Sequence, residues 1–103
     1  MSPEFDKEGF LVNLETWTET VAETIAFNEE IDLTSEHWEI ISIVRQFYQD
    51  YELSPVNRTL IKAVKQKLGD EKGNSIYLMS LFSGSPAKLA AKIAGLPKPN
   101  NCL

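Results

Sequence analysis

Helix starts and stops punctuate this chain more plainly than any other feature. Thr34, Ser54-Pro55, Asn74 and Ser85-Pro86 each head a stretch whose apolar residues fall three and four apart, and Gly69, Gly84 and Gly95 stand at the ends of such stretches. A short polar side chain in that position satisfies backbone N–H groups that the first helical turn leaves free. Proline suits the first helical position, and glycine accepts the left-handed turn that ends a helix. The pattern predicts a helix from about Thr18 to Glu29 on Val21, Ala22 and Ile25, with Trp17 ahead of it. A second, the strongest, starts at the Thr34 cap and carries Trp38, Ile41, Val44, Tyr48 and Tyr51. A third has Ser54 as cap and Pro55 as first residue, repeats Leu60, Ile61, Val64 and Leu68, and ends at Gly69. A fourth starts behind Asn74 with Ile76, Tyr77, Met79, Leu81 and Phe82. A fifth runs from Ser85-Pro86 through Leu89, Ala90 and Ile93 to Gly95. At Gly73-Asn74-Ser75 a turn and cap is favoured over an anion nest.

The opening residues carry a different signal. A turn at Glu8-Gly9 leads into the apolar run Phe10 to Val12, which predicts one short strand or a hairpin. "SPEF" matches a cloning remnant, so residues 1 to 5 are set apart from the natural sequence. The expected fold is mainly α within an α+β family: a compact bundle of about five helices, a small N-terminal β element and an extended C-terminal arm. At 103 residues this is one domain, 1–103, with the arm at 96–103. Apolar runs are only a few residues long and no secretion signal is visible, so the expectation is a cytoplasmic protein with no membrane partner.

Charge is unevenly spread. Residues 1 to 53 hold thirteen Asp or Glu against two Lys or Arg, a balance of −11, whereas residues 54 to 103 hold two against eight, a balance of +6. The halves can attract each other within the fold, or offer an acidic face and a basic face to partners. The total of −5 argues against the chain as a whole being a non-specific nucleic-acid binder, and stable direct DNA binding is not expected. Arg58, Lys62 and Lys65 do share one face of the third helix. Together with the Leu53-Ser54-Pro55 turn they leave a helix-turn-helix nucleic-acid binder as a rival reading, one that salt-dependent DNA binding surviving Cys102→Ser would favour.

Few residues carry independent chemistry. His37 is the only histidine, which leaves no second imidazole for a metal pair and predicts a surface or capping role. Phosphate loops and a nucleophile elbow are absent, so neither cofactor nor metal is expected. Cys102 remains, the only cysteine, next to last in "KIAGLPKPNNCL". One cysteine closes no intrachain disulfide, so the thiol is idle, a cross-link, a lone ligand or reactive. Pro97 and Pro99 favour extended geometry, giving the arm a reach of about 20 Å at ~3.1 Å per residue. Neither Asn101 nor Leu103 is cationic, and the nearby terminal carboxylate disfavours a thiolate. A positive field at the thiol therefore has to come from Lys92, Lys98, Arg58 or a partner protein.

"EHWEIISIVRQFYQDYELSPVNRTLIKAV", "GNSIYLMSLF" and above all "SPAKLAAKIAGLPKPNNCL" resemble the TusE/DsrC sulfur-relay family, from Gly9 to Leu103. The resemblance implies a sulfurtransferase whose penultimate cysteine, here Cys102, carries sulfane sulfur as a persulfide. In the TusE branch the donor is the TusBCD complex and the acceptor is the tRNA thiouridylase MnmA, which makes wobble 2-thiouridine. In the DsrC branch the partner is dissimilatory sulfite reductase, and a second cysteine in the last helix bonds to the terminal one. Here that position is Ala91, which favours the one-cysteine TusE type. The family's longer opening segment, a hairpin or small sheet before "GFL", is mostly missing, which puts any binding role of that segment in question.

Overall fold

Local signals decide most of the helix boundaries. The computed structural model describes residues 2–100. It contains α1 (Glu19–Asn28), α2 (Ser35–Tyr51), α3 (Asn57–Leu68), α4 (Ser75–Leu81) and α5 (Pro86–Ile93), with a single 3-10 turn at Leu14–Thr16 ahead of them. Thr18 caps α1 by accepting the Val21 N–H at 3.1 Å. At α2 the His37 Nδ1 accepts the Thr34 backbone N–H at 3.1 Å, and the ring's Nε2 lies 2.9 Å from the Leu81 carbonyl. An accepting Nδ1 leaves the proton on Nε2, so the ring donates to Leu81 and ties the start of α2 to the end of α4. His37 is thus a cap, as expected, but a buried one, set edge-on to Phe82. Asn74 caps α4 by accepting the Tyr77 N–H and donates to the carbonyls of Asp70 and Glu71, so the turn and cap is what forms there.

α5 sits in the middle and packs against each of the other four helices. Its composition explains the place. Ala87, Ala90, Ala91 and, just beyond, Ala94 are fully buried, and side chains that small let several helices approach one axis closely. Ile40, Ile41, Val44, Leu60, Val64, Leu78, Phe82 and Ile93 fill the surrounding space. Each such aliphatic side chain contributes roughly 1.5–3 kcal/mol when fully buried. On α4 the expected inner face is partly misplaced: Leu78 is buried, whereas Ile76 is 83% exposed.

Three expectations change. The N-terminal strand does not form: among the described residues there is no sheet, only one antiparallel bridge between Phe5 and Leu11. The Asp6 side chain accepts the N–H groups of Glu8 and Phe10 and closes a tight turn. Phe10 and Leu11 are then both buried, and two successive inward residues break the alternation a strand needs. Phe5, just ahead of this turn, is the bridge partner of Leu11. α3 begins at Asn57 behind Val56, two residues later than expected; the Ser54 hydroxyl donates to the Pro97 carbonyl, and Asn57 accepts the Ala87 N–H at the start of α5. The tail does not leave the body at Gly95, since Leu96 is 1% exposed and Pro99 is buried.

The acidic and basic halves meet in the fold. All three ion pairs among the described residues join a carboxylate of the first half to a lysine of the second: Glu39 to Lys72, Glu29 to Lys92 and Glu8 to Lys98. No helix among those residues is long and apolar enough to cross a membrane.

Candidate functional site

The C-terminal end of α5 leaves carbonyls without intrahelical partners, and two side chains from distant parts of the chain, one ahead of α1 and one on α2, satisfy them. Trp17 Nε1 donates to the Ile93 carbonyl at 2.9 Å and Arg45 donates to the Ala94 carbonyl at 2.7 Å. Arg45 also lies over the Trp17 ring, 3.8 Å from its centroid. A guanidinium at a helix C-terminus faces the negative end of the dipole, and stacking on indole adds to the attraction. Partial burial lowers the Arg45 pKa from its ordinary value, yet a guanidinium remains cationic throughout the physiological range. Gly95 completes the assembly. Its φ of +76° favours glycine, and a Cβ there would lie 2.4 Å from Trp17 Cδ1. The chain can leave α5 in this direction only because residue 95 has no side chain.

The next five residues run along the body. The Leu96 N–H donates to the Ala91 carbonyl at 2.9 Å, and the Ser54 hydroxyl donates to the Pro97 carbonyl at 2.6 Å. Lys98 pairs with Glu8 at 3.0 Å. A small cleft of about 100 Å³ lies between this segment and the last turn of α2, lined by Tyr48, Glu52, Leu53, Ser54, Lys98 and Asn100 among others. Glu52 in that turn adopts φ +56°, which lets the chain reverse into Leu53-Ser54 beneath the arm.

Cys102, the expected catalytic residue, lies outside the described residues. Of the three cations named with it, two are held by carboxylates of the first half. Lys92 lies 2.6 Å from Glu29, beside Gly9 and the Phe10 ring. Lys98 is on the arm but held by Glu8. Arg58 is exposed on the first turn of α3. Sequence reasoning missed Trp17, Arg45 and Ser54, the side chains that place the arm. Their partners are 76, 49 and 43 residues away, so no spacing rule links them. Among the described residues no group of three or more His, Cys, Asp or Glu could hold a metal ion.

A central helix whose end is capped by Trp17 and Arg45 thus leads into the C-terminal segment. The whole chain, residues 1–103, matches the family described as "DsrC like protein", and it belongs to that family. The sulfurtransferase TusE homolog of Haemophilus influenzae is 54% identical over 100 residues, covering 97% of this chain and 92% of its own. Sulfurtransferase TusE of Photorhabdus laumondii is 52% identical over 100 residues, with 97% and 90% covered. The fold is similar to that of Allochromatium vinosum DsrC, solved by NMR, with a TM-score of 0.87 and 50% identity over 96% of this chain and 88% of the other. It is also similar to the oxidised γ-subunit of the dissimilatory sulfite reductase (DsrC) from Archaeoglobus fulgidus, with a TM-score of 0.83 and 40% identity over 98% and 92%.

Proposed function

We propose that this chain is a TusE-type sulfur carrier. In this reading Cys102 takes sulfane sulfur as a persulfide from a TusBCD-like donor and hands it to an MnmA-like thiouridylase for 2-thiolation of wobble uridine in tRNA. The observation that supports it most is the pairing of a lone penultimate cysteine with an arm whose base is fixed by Trp17, Arg45 and Gly95. Relatives named sulfurtransferase at half identity point to the same chemistry.

The transfer is an exchange at sulfur. The Cys102 thiolate attacks the outer sulfur of the donor's persulfide. A new S–S bond forms to Cys102, the donor's S–S bond breaks, and the donor departs as a thiolate. At the acceptor a thiolate attacks the terminal sulfur of the Cys102 persulfide in the same way, and Cys102 leaves as a thiolate. No external oxidant is needed, because the sulfane sulfur keeps its oxidation state. A free thiol near pKa 8.5 is only a few per cent ionised at pH 7, so a partner's positive field raises the rate by raising the thiolate fraction. Lys98 travels with the arm and becomes available when it parts from Glu8, which makes it the cation best placed to guide the thiol. Lys92 and Arg58 stay on the body.

Ala91 speaks for this branch over a DsrC-like partnership with sulfite reductase. A disulfide to the terminal cysteine needs a second thiol there, and the site holds a fully buried methyl group. Intact mass measurement after incubation with a cysteine desulfurase and a competent donor tests the proposal. The expected result is a gain of one sulfur atom that disappears in Cys102→Ala. An unchanged mass for the wild-type chain refutes it.

A further inference from the structure

The three ion pairs use Lys72, Lys92 and Lys98 and leave α3 out. That helix carries Arg58, Lys62, Lys65 and Lys67 and no acidic residue, and none of the four has a partner among the described carboxylates. In a chain of net charge −5 this is a local concentration of unneutralised cations. Lys65 and Lys67 are in the last turn, where the helix dipole favours them, but Arg58 is in the first, where it does not.

Beside this helix runs a cleft of about 360 Å³ between α2 and α3. Ile43, Phe47 and Ala63 give it an apolar lining, and Lys62 and Lys67 line its α3 side. The Phe47 and Tyr51 rings lie 4.7 Å apart, centroid to centroid, and Tyr51 is 62% exposed. The cleft adjoins the arm. Tyr51 lines it, while the next residues, Glu52 and Leu53, line the small cleft that holds Asn100. Cys102 follows Asn100 by two residues, so covalent geometry keeps its Cα within about 7 Å of the Asn100 Cα.

We propose that the α2–α3 cleft docks an acidic, apolar-anchored segment of the protein that supplies sulfur to this chain; the identity of that partner rests on the carrier reading. Charge complementarity selects the class. An apolar side chain of the partner enters between Phe47, Tyr51 and Ala63, and its carboxylates sit over Lys62 and Lys67. Nucleic acid fits less well, because phosphates recur at every nucleotide whereas the cleft sets only Lys62 and Lys67 beside an apolar lining of Ile43, Phe47 and Ala63. The donor fits better than the acceptor. A protein that holds tRNA must be cationic around it, and a cationic surface repels α3.

The test is the affinity of the purified, sulfur-free TusBCD-like donor complex for the wild-type chain, Lys62→Glu/Lys67→Glu, Tyr51→Ala and Lys65→Glu, at low and physiological salt. All four positions are exposed, so the variants keep the fold. The expected result is a loss of about tenfold or more for the double reversal and for Tyr51→Ala, and a loss under about threefold for Lys65→Glu, which does not line the cleft. Wild-type affinity should also fall as salt rises. Equal affinity for wild type and double reversal overturns the proposal, and so does a wild-type chain that binds no donor. A tRNA transcript that shifts the Tyr51 and Lys62 amide resonances and loses this effect in the double reversal overturns it in favour of nucleic acid. The carrier reading fails separately: a chain that binds donor through this cleft yet gains no sulfur refutes the carrier and leaves the docking surface standing. One that gains sulfur equally well with both lysines reversed does the opposite.

Discussion

Replacing Gly95 with alanine should damage the molecule far more than the same change at Gly84. Both glycines have positive φ, +76° and +97°, so each substitution meets the backbone cost of a left-handed alanine, about 1–2 kcal/mol. At Gly84 nothing lies within 4 Å of the new Cβ, and the cost ends there. At Gly95 the Cβ falls 2.4 Å from Trp17 Cδ1 and 2.9 Å from Cγ, and the ring has little room to yield because Arg45 covers one face and its N–H is bound to the Ile93 carbonyl. Moving it strands a carbonyl at roughly 1–3 kcal/mol and weakens a cation–π contact worth about 0.5–2 kcal/mol. The total is about 2.5–7 kcal/mol, a large share of the 5–15 kcal/mol that holds a typical domain together. Urea unfolding followed by tryptophan fluorescence measures both variants. Repeating Gly95→Ala in a Trp17→Ala background, followed by circular dichroism, should return its cost to the Gly84 level. Equal losses at the two glycines, or an unchanged loss without Trp17, would refute the reasoning.

Other outcomes follow from single contacts. His37→Ala leaves the Thr34 N–H and the Leu81 carbonyl without their partner and removes a ring packed on Phe82, so it should cost about 2–4 kcal/mol in urea unfolding, whereas Ser80→Ala on the exposed side of α4 should cost under about 1 kcal/mol. Glu36, in the first turn of α2, is held below the ordinary carboxylate pKa by its backbone hydrogen bond first, then by the Thr34 and Ser35 hydroxyls, with Lys72 adding a smaller attraction. A folded pKa below the unfolded one adds stability above the unfolded value and loses it as pH falls through the folded one. Glu36→Gln should therefore be less stable than wild type at neutral pH and indistinguishable in strong acid, and a gap in urea midpoints that persists in acid would contradict this. Lys98→Ala should leave the unfolding midpoint nearly unchanged, since half-exposed ion pairs contribute about 0–1 kcal/mol, yet lower the backbone 15N order parameters at position 98 and at Asn100; unchanged order parameters would show that Glu8 does not hold the arm.

What could be read in advance was local. Helix caps act within four residues, so Thr18, Thr34, Asn74 and the Ser85-Pro86 start were legible from one-dimensional spacing. Ser54 shows the limit: as a sequence it is a good cap, but α3 starts later, at Asn57, and the Ser54 hydroxyl instead donates to the Pro97 carbonyl 43 residues away. The N-terminal strand failed for a related reason. Its residues have strand composition, but the Asp6 turn and the inward pull on both Phe10 and Leu11 leave room for one bridge only. Cys102 stood out by its place at the end of the chain. Trp17 and Arg45 could not, because an indole before a helix and an arginine within one are unremarkable until folding brings them to the end of α5.

These contacts divide the arm into two parts of unequal strength. Leu96 is anchored by complete burial, about 1.5–3 kcal/mol, and its backbone is tied to Ala91. Beyond it, among the described residues, Pro97 to Asn100 are held by one hydroxyl-to-carbonyl hydrogen bond at Pro97, one half-exposed ion pair at Lys98 and the burial of Pro99, each of order 1 kcal/mol. If the arm swings for sulfur transfer, the pivot is therefore the Leu96-Pro97 link rather than Gly95, and Trp17 and Arg45 stay clamped throughout. Six residues in extended geometry span about 19 Å at ~3.1 Å each. A partner needs to supply only a few kcal/mol to free the described residues 97–100, while the body keeps the pivot fixed relative to any docking surface on α2 and α3. Substitutions at Trp17, Arg45 or Gly95 should consequently disturb where sulfur is delivered as well as stability, whereas those at Ser54 or Lys98 should change how readily the arm is released.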